Sequence, residues 1–132
     1  MKRITGIFIV AMAFSSCSEA QIKSPNEQAE QAGVVNELVG ADEYKQLLTK
    51  QDVQIIDVRT ADECKDGMIE GAKNIDYFGS DFQSQIATLD KSKPVLVYCK
   101  AGGRSAKAAR MMRGLGFMEV YDLKGGYSHW PY

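Results

Sequence analysis

Cys99 is the residue of this chain best placed to act as a nucleophile. It follows the apolar run 95–98, which predicts a strand, and precedes a glycine-bearing loop and an alanine-rich segment from Ser105 that predicts a helix. Amide N–H groups at a helix N-terminus lack partners inside the helix and can be aimed at an anion. Together with the charges of Lys100 and Arg104, they predict a Cys99 pKa below the ordinary value of about 8.5.

A free cysteine at a strand end is more often part of the apolar core than a reactive group. A cysteine that only fills the core needs neither the adjacent glycines 102–103 nor the cations Lys100 and Arg104. Their presence favours a reactive thiolate. The residues expected to surround the sulfur are Lys100, Ala101, Gly102, Gly103, Arg104 and Ser105.

Length and composition indicate one ordinary globular domain. The chain has 132 residues, of which 45% are hydrophobic and 25% charged, and this balance suits a modest single core. The formal net charge of −1 gives no field that would attract nucleic acid. Three prolines and the lack of a repeated segment argue against a repeat or low-complexity protein.

The N-terminus has the pattern of a secretory signal. Lys2 and Arg3 precede the apolar segment 4–14, which is shorter than the roughly 20 residues that span a bilayer. The sequence Phe-Ser-Ser-Cys ending at Cys17 resembles a bacterial lipobox. We therefore expect a lipoprotein-type signal peptide over 1–16, and a lipidated Cys17 that begins a polar, flexible tether over 17–33.

This pattern predicts a protein of the bacterial cell envelope, anchored by its lipid and either periplasmic or associated with the outer membrane. An ordinary cleaved signal, with Cys17 incidental, is the alternative. An envelope protein partner is possible in either case.

Helical and strand patterns alternate from residue 34 to residue 132. We predict strands near 34–35, over 53–58, over 73–75, before Cys99 and near 120–121, and helices over 41–49, after Thr60 in a capping box with Glu63, over 82–89, and from Ser105 to Gly114 or Gly116. Such alternation favours a parallel α/β sheet, whose sites lie at the carboxyl ends of its strands. Asp57 and Cys99 both fall there.

The chain resembles single-domain rhodaneses, which are thiosulfate sulfurtransferase-like proteins. The matching segments are 55–59, 67–75, 97–105, 116–117 and 123–130. The resemblance implies a domain over 34–132 with a five-stranded parallel sheet and helices on both faces, and a monomer is expected.

By this resemblance, Cys99 takes sulfane sulfur from thiosulfate or a similar anion and passes it from a persulfide to cyanide or a thiol. The loop after Cys99 binds the substrate, with its amides on the sulfur and the Lys100 and Arg104 side chains on sulfonate oxygens. No metal or organic cofactor is expected. Two positions depart from the family: Met68 replaces a frequent histidine, and Cys64 replaces a frequent aromatic residue.

Asp57 and Arg59 are expected to form a salt-bridged pair that supports the loop, in preference to a direct catalytic role. His129, the chain's single histidine, is expected to face solvent.

Two rival functions remain open. One is a phosphatase, but such loops place arginine six positions after cysteine, whereas Arg104 lies five positions after Cys99. The other is an envelope persulfide carrier or redox-binding module without turnover of its own.

Overall fold

The computed structural model describes residues 35–132, and the predicted signal peptide, Cys17 and tether lie outside this part. Its elements in chain order are β1 (Val35–Val39), α1 (Ala41–Leu47), β2 (Gln54–Asp57), α2 (Ala61–Cys64), β3 (Lys73–Asn74), α3 (Phe82–Ala87), β4 (Val95–Tyr98), α4 (Gly103–Gly114), β5 (Glu119–Leu123) and a 3-10 helix (Tyr127–His129). Within this part of the chain, every helix is too short or too polar to cross a bilayer.

The five strands form one parallel sheet in the order β1-β5-β4-β2-β3. β4 lies at the centre, and all four of its residues are buried. Val97 of β4 is opposite Ile56 of β2 on one side and Asp122 of β5 on the other. The central strand therefore delivers Cys99 to the middle of the sheet's carboxyl edge.

Two apolar cores cover the two faces of the sheet, as a β4 buried on both faces requires. Under α3 and α4, the core includes Phe82, Ile86, Val97, Met112 and Phe117. Under α1, the other core includes Tyr44, Leu47, Leu96, Tyr98 and Leu123. The predicted five-stranded parallel sheet with helices on both faces is confirmed.

The capping box that begins α2 is also confirmed. The Glu63 amide donates to the Thr60 hydroxyl, and the Glu63 carboxylate accepts from the Thr60 amide over 2.9 Å. The helix after Cys99 begins at Gly103 rather than Ser105, because Gly102 takes a left-handed φ of 107° and ends the loop earlier. The last strand runs over five residues where the sequence predicted two.

Candidate active site

Cys99 directly follows β4, and its side chain lies in the core under α4. Only 1% of the residue is exposed. The Gly102 amide donates a hydrogen bond to the Cys99 sulfur, with 3.1 Å between N and Sγ. The loop can turn back on the sulfur because Gly102 has a positive φ, which residues with a side chain rarely adopt. The loop therefore directs an amide at the sulfur.

Hydrogen bonding determines the acid strength of Cys99. Burial raises the pKa of the thiol, but hydrogen bonds from the Ser105 side chain and from the amides of Ser105, Gly102 and Ala101 outweigh it, so that the pKa lies below its ordinary value. Ser105 is fully buried in the first turn of α4. Its hydroxyl donates a hydrogen bond to the Gly102 carbonyl oxygen over 3.2 Å. These donors suit a thiolate and equally the anionic outer sulfur of a persulfide.

A turn near the C-terminus holds the first residues of the loop. The Tyr127 amide donates to the Cys99 carbonyl over 2.8 Å, and the Ser128 amide donates to the Lys100 carbonyl over 3.0 Å. Gly126 makes this approach possible, since a Cβ there would lie 2.6 Å from the Cys99 carbonyl oxygen. The adjacent glycines Gly125 and Gly126 predict a turn before the final aromatic segment, but the sequence does not show that this turn contacts the Cys99 loop.

The guanidinium of Arg104 is paired with a carboxylate. Its Nη1 and Nη2 donate to the two oxygens of Glu63 over 2.7 and 2.8 Å. The hydrogen bond from Arg104 lowers the pKa of Glu63 to about 2. The Arg104 side chain is therefore held at the rim of the loop by Glu63, whose position in the sequence predicts only a helix-capping role. Attraction of substrate oxygens by Arg104 stays a prediction.

The other loop residues lie on the surface. Lys100, Ala101 and Gly103 are exposed. Within residues 35–132, no carboxylate forms a salt bridge with Lys100. Lys100 also lines a cleft of about 170 Å³ beside the loop, together with Arg59, Glu63, Asp66, Tyr127 and Ser128. Lys100 is therefore an exposed cation, one position after Cys99, that lines this cleft together with the carboxylates of Glu63 and Asp66.

Asp57 and Arg59 form the predicted salt bridge. The Arg59 Nη2 lies 2.6 Å from Asp57 Oδ2, and both side chains are almost completely buried. Arg59 also donates to the Gly67 carbonyl over 2.6 Å, and its guanidinium lies 4.1 Å from the centre of the Tyr127 ring. The pair connects the end of β2 with the C-terminal turn that holds the Cys99 loop. It therefore has a supporting position, without contact to the sulfur.

Cys64 ends α2 in a half-buried position. Burial, followed by the charge and the hydrogen bonding of Asp57, raises the pKa of its thiol to about 11. His129 is exposed, as predicted, and its Nδ1 lies 3.1 Å from the Gly125 carbonyl oxygen. Met68 is half-buried and lines a groove that Trp130 also borders.

Fold and site together define a class: a parallel α/β protein that presents one acidic, buried thiol at the end of its central strand. The sequence profile of the rhodanese-like domain matches residues 40–131, and the chain belongs to this family.

Curated and solved relatives agree with this assignment. The thiosulfate sulfurtransferase GlpE of Coxiella burnetii (strain RSA 331 / Henzerling II) is 38% identical over 85 residues, which are 64% of this chain and 78% of that protein. The uncharacterized protein YqhL of Bacillus subtilis (strain 168) is 40% identical over 77 residues, which are 58% of this chain and 60% of that protein. The crystal structure of a rhodanese-like domain protein from Staphylococcus aureus superposes with a TM-score of 0.63 and 30% identity, over 71% of this chain and 90% of that one.

Proposed function

We propose that this chain is a sulfurtransferase that carries sulfane sulfur as a persulfide on Cys99. The observation that carries the proposal is the set of donors around one thiol, in which the Gly102 amide and the Ser105 side chain both stabilise a negative sulfur. The 38% identity to a thiosulfate sulfurtransferase also supports it.

The proposed transfer consists of two displacements at sulfur. The Cys99 thiolate attacks the outer sulfur of thiosulfate, a new S–S bond forms, and the S–S bond of the donor breaks as sulfite leaves with the electron pair. Cyanide or a thiolate then attacks the outer sulfur of the persulfide, and the Cys99 thiolate leaves with the electron pair. Donors fixed at Cys99 stabilise the anion in each state without rearrangement.

The loop's size supports sulfur transfer over phosphate hydrolysis. Four residues separate Cys99 from Arg104, and the Gly102 amide reaches the cysteine sulfur itself. An anion bound above the sulfur would need amides directed further out. Inserting one glycine between Gly102 and Gly103 should displace the Gly102 amide and reduce sulfur transfer roughly 10²-fold, as loss of one oriented donor does elsewhere.

The test is to assay the purified chain for thiocyanate formation from thiosulfate and cyanide, with a small thiol as second acceptor, and for hydrolysis of an aryl phosphate. We expect repeated turnover with a sulfane-sulfur donor and negligible phosphate release. A single transfer per chain without turnover would instead favour the persulfide carrier. Phosphatase activity equal to or above sulfur transfer would contradict the proposal.

We also propose that a lipid on Cys17 anchors the domain in the bacterial envelope, on the basis of the signal pattern before it. Cys17→Ala should release the chain from membrane fractions in the native host. Equal membrane retention of both forms would show that lipid on Cys17 is not the anchor.

A further inference from the structure

Phe78 is a large apolar side chain that the fold leaves in solvent. It is 70% exposed, more than Leu38, Met118 or Tyr132, which are the other exposed large apolar residues within 35–132. A single exposed apolar side chain is ordinary on a protein surface. Exposure alone therefore carries no function, and the position of Phe78 decides whether it has one.

Backbone hydrogen bonds place Phe78 at the same edge of the sheet as Cys99. Just beyond β2, the Val58 amide donates to the Tyr98 carbonyl over 2.9 Å, and the Tyr77 amide donates to the Val58 carbonyl over 3.1 Å. Tyr77, Val58 and Tyr98 are thus neighbours on three adjacent segments of the chain. Phe78 and Cys99 each follow by one residue, so their backbones are on the order of 10 Å apart, which is two spacings between strands.

The Phe78 ring lies beside Arg104, at the end of the Cys99 loop. The guanidinium carbon of Arg104 is 5.6 Å from the centre of the Phe78 ring, which is within the range of a cation–π contact. Arg104 is in the first turn of α4, and both of its Nη atoms donate to the Glu63 carboxylate. Phe78 therefore adds an apolar surface to a rim where the charge of Arg104 is already balanced.

A hydrogen-bonded turn holds Phe78 in this exposed position. The Phe78 amide donates to Asp76 Oδ1 over 2.9 Å, and the Gly79 amide donates to the Asp76 carbonyl over 2.9 Å. The Phe78 ring also packs edge-on against the Tyr77 ring, with 5.6 Å between the ring centres. A ring that is fixed before binding loses little conformational freedom when a ligand packs on it. Phe78 is therefore preorganised for contact with a molecule that approaches Cys99.

The chemistry of this rim fits the acceptor of the proposed transfer better than the donor. Thiosulfate and cyanide are small anions with no apolar group that could pack on a ring. Among the proposed substrates, only the thiol acceptor can carry such a group. The Asp76 carboxylate lies in the same turn as Phe78, and it disfavours an acceptor with an added negative charge.

We propose that Phe78 selects acceptor thiols that carry an uncharged aromatic group close to the sulfur. This group packs on the Phe78 ring while the acceptor thiolate attacks the outer sulfur of the Cys99 persulfide. An S–S bond forms on the acceptor, the S–S bond to Cys99 breaks, and the Cys99 thiolate leaves with the electron pair, so that the transferred sulfur keeps its charge. This inference rests on the proposed transfer of sulfur through Cys99.

The test compares phenylmethanethiol, which has an aromatic group, with 2-mercaptoethanol, which has none and whose thiol is of similar acidity. With thiosulfate as donor, the full chain should show a kcat/KM roughly 3- to 10-fold higher for phenylmethanethiol, which is the preference that one aromatic contact supplies. Phe78→Ala should remove most of this preference. Phe78→Tyr keeps the ring and should retain it.

Leu38→Ala is the matched control. Leu38 is 61% exposed, but it lies on β1, at the opposite edge of the sheet from β3. The ratio of the two kcat/KM values should be the same in Leu38→Ala as in the unsubstituted chain. An unchanged ratio in Phe78→Ala would overturn the inference, and so would an equal loss in Leu38→Ala.

Thiocyanate formation from cyanide shows separately whether the chain transfers sulfur. If it does not, the contact is measured by alkylation of Cys99, which needs no sulfur donor. The ratio of the alkylation rate with iodoacetanilide, which carries an aromatic ring, to that with iodoacetamide should fall in Phe78→Ala and stay the same in Leu38→Ala. Mass spectrometry of the Cys99 peptide measures both rates, and an unchanged ratio in Phe78→Ala would contradict an aromatic contact at Phe78.

Discussion

Residues 35–132 hold two cysteines, and their surroundings give them opposite acid strengths. Cys99 is almost fully buried, yet hydrogen bonds from a buried serine and from loop amides hold its pKa below the ordinary value. Cys64 is only half-buried, yet burial and the nearby Asp57 raise its pKa to about 11. Exposure alone would rank the two thiols in the wrong order.

The opposite pKa shifts of the two thiols follow from which backbone groups lie near each sulfur. Cys99 precedes the N-terminus of α4, where free amides converge on the sulfur. Cys64 is the last residue of α2, and the unpaired backbone groups at the end of a helix are carbonyls, which do not stabilise a thiolate. Among charged groups, the Asp57 carboxylate has the largest effect on its pKa, and it raises the value. Reactivity in this fold thus follows from the direction of the backbone around the sulfur.

Substitution of each cysteine in turn tests which of the two is needed for sulfur transfer. Cys99→Ser should reduce sulfur transfer at least ~10³-fold, because the hydroxyl cannot replace a stabilised thiolate. Cys64→Ala should keep most of the activity. Initial rates of thiocyanate formation measure both, and matching circular dichroism spectra would show that both variants fold. An inactive Cys64→Ala with an active Cys99→Ser would refute the assignment.

The backbone around Cys99 can be disturbed without touching the sulfur. In Gly126→Ala, a methyl group would lie within 2.6 Å of two carbonyl oxygens of the loop at a positive φ, so the turn must move away. We expect a loss of about 2–3 kcal/mol in the free energy of unfolding, together with a higher pKa of Cys99. Urea unfolding and the pH dependence of alkylation measure the two effects.

Gly114→Ala is the control for this substitution, since a Cβ there meets nothing within 4 Å. It should change the free energy of unfolding by less than about 1 kcal/mol and leave the pKa of Cys99 in place. Equal losses for the two alanine variants would show that the close approach of Gly126 is unimportant.

The two thiols can also be compared directly by their alkylation rates at pH 7. The pKa of Cys64 is raised to about 11, whereas that of Cys99 is lowered, so at pH 7 a larger fraction of Cys99 is thiolate. The weaker intrinsic nucleophilicity of the more acidic thiol offsets only part of this difference, so we expect Cys99 to react faster than Cys64. Peptide mapping after short iodoacetamide pulses measures the ratio. A faster Cys64 would contradict the comparison.

Glu63 connects the surroundings of the two cysteines, because it directly precedes Cys64 and its carboxylate binds Arg104 of the Cys99 loop. Glu63→Gln should lower the free energy of unfolding by about 1–2 kcal/mol, since it removes the charge from a half-buried bidentate pair. Asp62→Asn is the matched control: the ion pair of Asp62 with Lys65 is also short, at 2.6 Å, but mostly exposed, and its loss should cost less than about 0.5 kcal/mol.

The effect of Glu63 has a defined pH dependence. Its pKa in the folded chain is about 2, below the ordinary value of about 4.3, so its stabilisation is complete above that ordinary value and disappears as the pH falls toward 2. Urea unfolding near pH 7 and near pH 2.5 measures this. The difference between the unsubstituted chain and Glu63→Gln should shrink at the acid pH, and a difference that grows there would contradict the ion pair.

Local patterns in the sequence predicted most of the fold and the centre of the site. The apolar run before Cys99, the glycine loop and the alanine-rich helix are neighbours in the chain, so their geometry follows from short-range rules. The capping box of Thr60 with Glu63 and the pair of Asp57 with Arg59 are local for the same reason.

Contacts between segments that are distant in the chain could not be predicted from the sequence. Glu63 meets Arg104 across 41 positions, and Gly126 meets the Cys99 loop only because β5 lies beside β4 in the sheet. The burial of Asp122, which lies on β5 opposite Val97 of β4, depends on the same neighbouring strands. Strand order and register determine these contacts, and a single sequence does not reveal them.

The central claim is that Cys99, and not Cys64, accepts sulfur. The most direct measurement is the intact mass of the chain after incubation with thiosulfate and removal of excess donor, followed by peptide mapping of the modified residue. We predict a gain of one sulfur atom on the Cys99 peptide, which is lost on addition of cyanide and prevented by prior alkylation of Cys99. No gain in mass, or a sulfur atom carried on Cys64, would contradict the account.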